Sequence, residues 1–210
     1  EIKVEPILEP IIKKPTIHVV EVLDISDSMI SKGLSGNKIV SAVKGINQGI
    51  DSLKENKEVN YLHTLITFAY SVKLKHFDIP VKDMYKVPIY NTDGMTALND
   101  AIVFTLNKFG RLPITEKVLI NIYTDGGENI SKAKDLSKIK NLITDCKTKG
   151  ITITFIGTKE DVAKAVSLYA IEESNTLSYD NTAVGLDSAI KETIAARESY
   201  SMGVTRGEDV

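Results

Sequence analysis

One apolar run constrains the fold of this chain more than any other feature. Residues 17–23, Ile-His-Val-Val-Glu-Val-Leu, are mostly β-branched and apolar, which is typical of a central strand covered on both faces. The run ends at a loop rich in side-chain oxygens, Asp24-Ile25-Ser26-Asp27-Ser28. Apolar residues then recur at helical spacing, at Ile39, Val43, Ile46, Ile50 and Leu53. A buried strand followed by an amphipathic helix predicts an α/β protein.

The same alternation continues along the chain. We predict further strands over residues 61–70, 72–77, 118–123, 151–156 and 176–179, and helices over 98–109, 131–149, 161–170 and 184–196. Because the strands at 61–70 and 72–77 almost touch in sequence, they are expected to form a hairpin with an antiparallel edge strand. The predicted fold is a three-layer, Rossmann-like doubly wound sheet, mostly parallel, with one antiparallel edge strand and helices on both faces.

Two segments flank the predicted domain, which spans residues 16–197. Residues 1–15 contain three prolines and no helical period, which predicts an extended N-terminal arm. This arm is either a plain linker or an apolar segment that lies on a surface of this chain, of another copy or of a partner. Residues 198–210 are mostly polar and aperiodic, and we predict a loose C-terminal tail.

Composition narrows the classes of function. The apolar fraction of 42% can form a real core, and a net charge of −2 argues against nucleic-acid partners and anionic membranes. The single cysteine, Cys146, excludes a disulfide within the chain and favours a reducing, cytoplasmic location. Its apolar neighbours on the same helical face predict a buried, inert thiol. No apolar run approaches the roughly 18 residues of a membrane span, so no membrane association is expected.

Polar side chains follow three of the predicted elements at one edge of the sheet. Asp24, Ser26 and Ser28 follow the first strand, Thr96 opens a helix, and Asp125 ends the strand at 118–124. Because parallel strands place their carboxyl ends at one edge, the two carboxylates are expected to be neighbours, and they would repel each other unless a cation lay with them. Carboxylate and hydroxyl oxygens suit a hard cation, Mg²⁺ or Mn²⁺ before Zn²⁺.

These segments resemble the von Willebrand factor A family. The resemblance covers about residues 16–196 and depends on the order of three motifs on an α/β chain: Asp24-x-Ser26-x-Ser28, Gly94-x-Thr96 and Thr124-Asp125-Gly126. A longer match strengthens it, Tyr90-x-x-x-Gly94-x-Thr96-x-Leu98-x-Asp100-Ala101-Ile102. Within the family, the chain is most similar to intracellular bacterial or phage-encoded members such as the tellurite-resistance-associated proteins.

The resemblance implies a metal-ion-dependent adhesion site (MIDAS) with the metal residues Asp24, Ser26, Ser28, Thr96 and Asp125. The two serine hydroxyls would bind Mg²⁺ (or Mn²⁺ or Ca²⁺) directly, Thr96 would do so in a ligand-engaged state, and the two aspartates would act mostly through water. Because neutral hydroxyls do not cancel its charge, the ion can accept an Asp or Glu from a protein partner. The resemblance therefore implies a binding module and not an enzyme.

Two alternatives stay open at this stage. The first is an assembly or scaffold component with an incidental metal, suggested by the arm at 1–15. The second is a metal-dependent phosphoryl-transfer enzyme with Asp24 as nucleophile. Ser26 stands where such an enzyme needs a second carboxylate, however, and no lysine in the right place is evident.

Several other polar residues call for an interpretation from sequence. Asp27 replaces the glycine that is usual in the family, and we expect it to point to solvent. Glu21 lies within the first strand and needs a partner that the sequence does not name. Structural roles are expected for the three histidines and for Asp100.

Overall fold

The computed structural model describes residues 14–30, 37–113 and 116–208. Its strands are β1 (Thr16–Asp24), β2 (Asn60–Phe68), β3 (Val72–Pro80), β4 (Lys117–Tyr123), β5 (Ile151–Thr158) and β6 (Thr176–Tyr179). They form one sheet in the order β3-β2-β1-β4-β5-β6. Only the β2–β3 pair of this sheet is antiparallel. The predicted fold class is confirmed, whereas residues 1–13 of the predicted arm lie outside the described part of the chain.

In the described part of the chain, five helices cover the two faces of the sheet. They are α1 (Lys38–Glu55), α2 (Leu98–Phe109), α3 (Leu136–Thr148), α4 (Lys159–Tyr169) and α5 (Ala183–Arg206). Helices α1 and α5 pack on one face, and α2, α3 and α4 pack on the other. Side chains of β1 alternate between these two apolar layers, so β1 is the buried central strand that its sequence predicts. No described helix has the length and apolarity that spanning a bilayer demands.

Helix α5 is longer than the sequence pattern suggested. The predicted helix stopped at residue 196, but α5 continues to Arg206 and ends at Gly207, whose φ of 72° lies in the left-handed region. Thr193, Arg197 and Ser201 are buried one turn apart along it. The prediction of a loose tail was therefore wrong for residues 198–206. The sequence search looked for apolar residues at helical spacing, whereas this part of α5 buries polar residues at that spacing.

The extra length of α5 supplies the missing partner of Glu21. Arg197 Nη1 lies 3.4 Å from Glu21 Oε1, and its Nη2 donates to the Gly49 carbonyl at 3.0 Å. A Cβ on Gly49 would lie 2.7 Å from Arg197 Nη2, and one on Gly45 would lie 2.3 Å from Ile190 Cγ2. These glycines therefore let α1 approach α5 closely.

The three histidines occupy structural positions, as expected. His18 lies between two carboxylates, with Nδ1 2.9 Å from Asp78 Oδ1 and Nε2 2.7 Å from Glu116 Oε2. Burial alone would lower the pKa of His18, but hydrogen bonds and charge from these two acids outweigh it and raise the pKa. His63 Nδ1 and His76 Nε2 lie 2.8 Å apart. Burial, assisted by His76 and Arg197, lowers the pKa of His63 to about 3, so that ring is neutral at pH 7.

Candidate metal centre

The central strands bring Asp24 and Thr124 together. Leu23 of β1 pairs with Tyr123 of β4, so Asp24, the last residue of β1, lies beside Thr124, which follows β4. Asp24 Oδ2 accepts a hydrogen bond from the Thr124 hydroxyl at 2.6 Å, and Oδ1 accepts one from the Ser26 amide at 2.7 Å. Burial raises the pKa of Asp24 to about 6, and the charge of Asp125 acts in the same direction. The carboxylate is thus held in one orientation at the carboxyl edge.

A chain of hydroxyls connects this loop to Asp125. Ser26 Oγ and Ser28 Oγ lie 3.0 Å apart, and Ser28 Oγ donates to Asp125 Oδ1 at 2.6 Å. A short 3₁₀ turn over Asp27–Met29 gives the loop this shape. Both serines therefore direct their oxygens toward the end of β4.

Thr96 enters the same site from the loop before α2. Its amide donates to Asn129 Oδ1 at 2.8 Å, and the next amide, that of Ala97, donates to the Ala69 carbonyl at 2.8 Å. Ala97, and not Thr96, is the N-cap residue of α2. Thr96 therefore lies one residue before the cap of the helix.

Because Gly126 has no side chain, the space beside these hydroxyls stays open. A Cβ on Gly126 would lie 3.1 Å from Ser28 Oγ and 3.4 Å from Thr96 Oγ1. Both oxygens therefore face the same small region next to the Gly126 backbone. The structure places all five predicted site residues at this edge of the sheet: Asp24, Ser26, Ser28, Thr96 and Asp125.

Sequence reasoning missed Lys38, whose ammonium also contacts Asp125. Lys38 Nζ donates to Asp125 Oδ2 and, at 2.6 Å, to Asn181 Oδ1. The lysine side chain is 5% exposed and that of Asp125 is fully buried. Ser28 and the ammonium therefore bind different oxygens of the Asp125 carboxylate. The sequence offered one indication of this contact: Lys38 is the first residue of α1, and that helix begins at this edge of the sheet.

Other acidic residues near the site accept hydrogen bonds from backbone amides. Asp27 is exposed, and its Oδ1 accepts from the Gly94 amide at 3.1 Å, so it joins two loops of the site instead of only pointing to solvent. Asp100 accepts from the amides of Lys132 and Ala133 at 3.0 and 2.8 Å, which is the structural role expected of it. Glu128 Oε2 accepts from the Asn99 amide at 2.8 Å, at the first turn of α2.

The donor set fits a hard divalent cation. Among the described residues, no group of three or more His, Cys, Asp or Glu side chains could hold a metal, so a cation at this edge would depend on the hydroxyls. Two carboxylates and three hydroxyls offer only oxygen, which Mg²⁺, Mn²⁺ and Ca²⁺ prefer. Lys38 meets part of the charge on Asp125.

Comparison with solved structures identifies the fold. No family model matches the sequence, and a search among curated proteins finds no match. Similar structures include a von Willebrand factor type A protein from Catenulispora acidiphila, at 16% identity and a TM-score of 0.64 over 90% of this chain and 43% of that chain. Another is proximal thread matrix protein 1 from the mussel byssus with a zinc-occupied MIDAS motif, at 14% identity and a TM-score of 0.60 over 88% and 46%.

The pilus adhesin SpaC from Lactobacillus rhamnosus GG is also similar, at 13% identity and a TM-score of 0.68 over 88% of this chain and 31% of that one. The chain thus spans less than half the length of each of these three proteins. At such identities the comparisons establish the fold, which is that of a von Willebrand factor A domain.

Proposed function

We propose that this chain is a metal-dependent protein-binding module in which a divalent cation at the carboxyl edge of the sheet engages an acidic residue of a protein partner. The observation that carries the proposal is the convergence of oxygen side chains from three separate segments beside Gly126. The residues proposed to hold the cation are Asp24, Ser26, Ser28, Thr96 and Asp125.

The surroundings of each carboxylate support this role. Asp24 is held by Thr124 and the Ser26 amide, and Asp125 is held by Ser28 and Lys38, so neither is free to turn away from the site. The hydroxyls add oxygen without adding negative charge. A cation bound there would supply positive charge to an incoming carboxylate. We propose Mg²⁺, with Mn²⁺ or Ca²⁺ as substitutes; the zinc in the mussel protein supports a divalent cation without specifying which.

The rim of the site favours a macromolecular partner. Ile30, Tyr70 and Met95 are exposed, and each belongs to or adjoins a loop that carries a proposed metal residue. Exposed apolar side chains gathered near one site are typical of protein-binding surfaces. The partner is therefore proposed to be a protein that presents Asp or Glu among apolar neighbours.

The test compares metal-dependent stability in wild-type protein and in Asp24→Asn. The melting temperature is measured in chelator and then with Mg²⁺ or Mn²⁺. We expect the cation to raise the melting temperature of the wild type and to leave Asp24→Asn unchanged. Capture of partners from native lysate with and without Mg²⁺ then tests engagement. Identical melting curves for the wild type in chelator and in both cations would count decisively against the proposal.

For the alternative of a phosphoryl-transfer enzyme, the structure adds a lysine near the site, whereas a serine still occupies the position of the second carboxylate. Lys38 provides the lysine that the sequence did not reveal, but Ser26 remains at the position where phosphoryl transfer requires an acid/base carboxylate. We therefore propose that the chain is not an enzyme. Turnover of a generic phosphoester that disappears in Asp24→Asn would reverse this choice.

Two finer points belong to the same proposal. We propose a cytoplasmic location, which the single, buried Cys146 supports. Similarity to the tellurite-resistance-associated and phage-encoded proteins is proposed from the resemblance of the sequence alone. An assembly role for the arm at residues 1–15 is the second possibility. Light scattering on a variant that lacks the arm would detect that role as a change in mass.

A further inference from the structure

We propose that Lys38 is an internal counter-ion of the metal centre, which neutralises Asp125 in the metal-free protein and leaves the loaded site with an excess positive charge that an acidic partner completes. This inference rests on the proposed function. It concerns a residue that none of the three sequence motifs contains.

The contacts of Lys38 identify it as a built feature. Its ammonium has two acceptors from distant segments, Asp125 Oδ2 after β4 and Asn181 Oδ1 before α5. Its backbone is fixed at the start of α1, where the Asn37 side chain accepts from the Ile39 amide at 3.2 Å. A lysine side chain that is 5% exposed is stable only when its charge is paired.

Asp125 uses different oxygens for its two neighbours. Oδ2 accepts from Lys38, whereas Oδ1 accepts from Ser28 and faces the hydroxyl cluster. The ammonium can therefore stay in place when a cation occupies the region beside Gly126. Lysine and cation would then share one carboxylate through different oxygens.

The charge count explains what this sharing does. With both carboxylates ionised, Asp24, Asp125 and Lys38 together carry one negative charge, and a divalent cation changes this to one positive charge. A single carboxylate from a partner then makes the site neutral. Without the ammonium, the metal alone would reach neutrality, and the partner's carboxylate would add an uncompensated negative charge. Lys38 therefore weakens metal binding by repulsion and strengthens the preference for an acidic partner.

The decisive variant is Lys38→Met, which keeps most of the side-chain volume and removes the charge. Lys44→Met is the matched control, since Lys44 is an exposed residue of the same helix. Mn²⁺ affinity is measured by calorimetry, with and without acetate as the carboxylate probe, and the melting temperature is measured in chelator.

We expect Lys38→Met to bind Mn²⁺ at least about tenfold more tightly than the wild type, since a like charge close to the metal is removed. Its melting temperature in chelator should be lower, because Asp24 and Asp125 then repel each other without a counter-ion. Acetate should raise Mn²⁺ affinity more in the wild type than in Lys38→Met. Lys44→Met should match the wild type in all three measurements.

Each other result has a definite meaning. If the wild type binds Mn²⁺ and Lys38→Met binds it equally or more weakly, the counter-ion role is overturned and the proposed function stands. If only Lys38→Met binds Mn²⁺, the counter-ion role is supported and the metal-dependent function of the natural chain is overturned. If neither binds, both are overturned. Should Lys38→Met fail to fold in chelator, Lys38→Gln provides the same comparison with a polar, uncharged side chain.

Discussion

Arg197 and Glu21 are 176 positions apart in the chain and form an ion pair inside the core. The arginine extends from α5 over the backbone of Gly49 to the middle of β1. Burial raises the pKa of Glu21, and the charge of Arg197 opposes that rise. The pair fastens a helix near the end of the described chain to the central strand of the sheet.

Arg197→Met is expected to lower the free energy of unfolding by about 3 kcal/mol or more, because it leaves the Glu21 carboxylate buried without a partner. Urea unfolding at pH 7 measures the loss. The double variant Glu21→Leu/Arg197→Met should recover most of it, since an apolar pair replaces the ionic one. Lys191→Gln is the control, because it removes only a surface ion pair of α5 and should cost less than about 1 kcal/mol. A loss below that size for Arg197→Met would refute the account.

Gly126→Ala should abolish the metal-induced rise in melting temperature. Its new Cβ would lie 3.1 Å from Ser28 Oγ and 3.4 Å from Thr96 Oγ1, in the space that we assign to the cation. Gly127→Ala is a matched control, because a Cβ there meets only Lys164 Nζ, at 3.7 Å. Thermal melts with and without Mn²⁺ compare the two. An equal response to Mn²⁺ in both variants would show that the cation does not lie beside Gly126.

His18 should make stability depend on pH above pH 6.5. Because Asp78 and Glu116 raise its folded-state pKa above 6.5, its stabilising contribution is complete below pH 6.5 and is lost as the pH rises through the folded-state pKa. His18→Gln should lack this loss in a series of unfolding measurements from pH 6 to 9. His76, whose pKa is lowered by burial, serves as the contrast, since its replacement should alter the profile only below pH 6.5. Identical profiles of unfolding free energy against pH for the wild type and His18→Gln would contradict this role.

Gly45→Ala tests the close approach of α1 and α5. A Cβ there would lie 2.3 Å from Ile190 Cγ2, and such overpacking costs roughly 1–3 kcal/mol. The gain in helix propensity, about 1 kcal/mol, offsets part of that cost. Denaturant unfolding should therefore show a net loss of up to about 2 kcal/mol. Ile190→Ala removes the obstructing atoms, so the double variant should be more stable than the sum of the single losses predicts. Strict additivity would mean that the two helices do not meet at this point.

Local spacing was sufficient to predict most of the fold. The apolar run of β1 and the helical period of α1 each depend on neighbours within one element, so the sequence shows them directly. The end of α5 was missed because its buried stripe changes from Leu186 and Ile190 to Thr193, Arg197 and Ser201. The period of three to four residues continues through these polar positions, but it is hidden in the sequence because polar residues are mostly exposed in proteins.

The site was predictable where its residues follow strand ends and unpredictable where they pair across the fold. Asp24 and Asp125 lie at the carboxyl ends of strands that the topology makes neighbours. Lys38 reaches Asp125 over 87 positions and depends on where α1 begins. Thr124 was visible in its motif, but its hydrogen bond to Asp24 depends on the register between β1 and β4.

The outer strands have a consequence for how copies of this chain can associate. At one margin, β3 carries the exposed residues Lys73 and Lys75, whose ammonium groups lie 3.7 Å from an Asp93 oxygen and 4.7 Å from the centre of the Tyr90 ring. At the other, β6 has only four residues. Edge strands that are charged or short discourage strand pairing between molecules. Any self-association is therefore expected to proceed through side-chain surfaces, without fusing sheets into a continuous, amyloid-like ribbon.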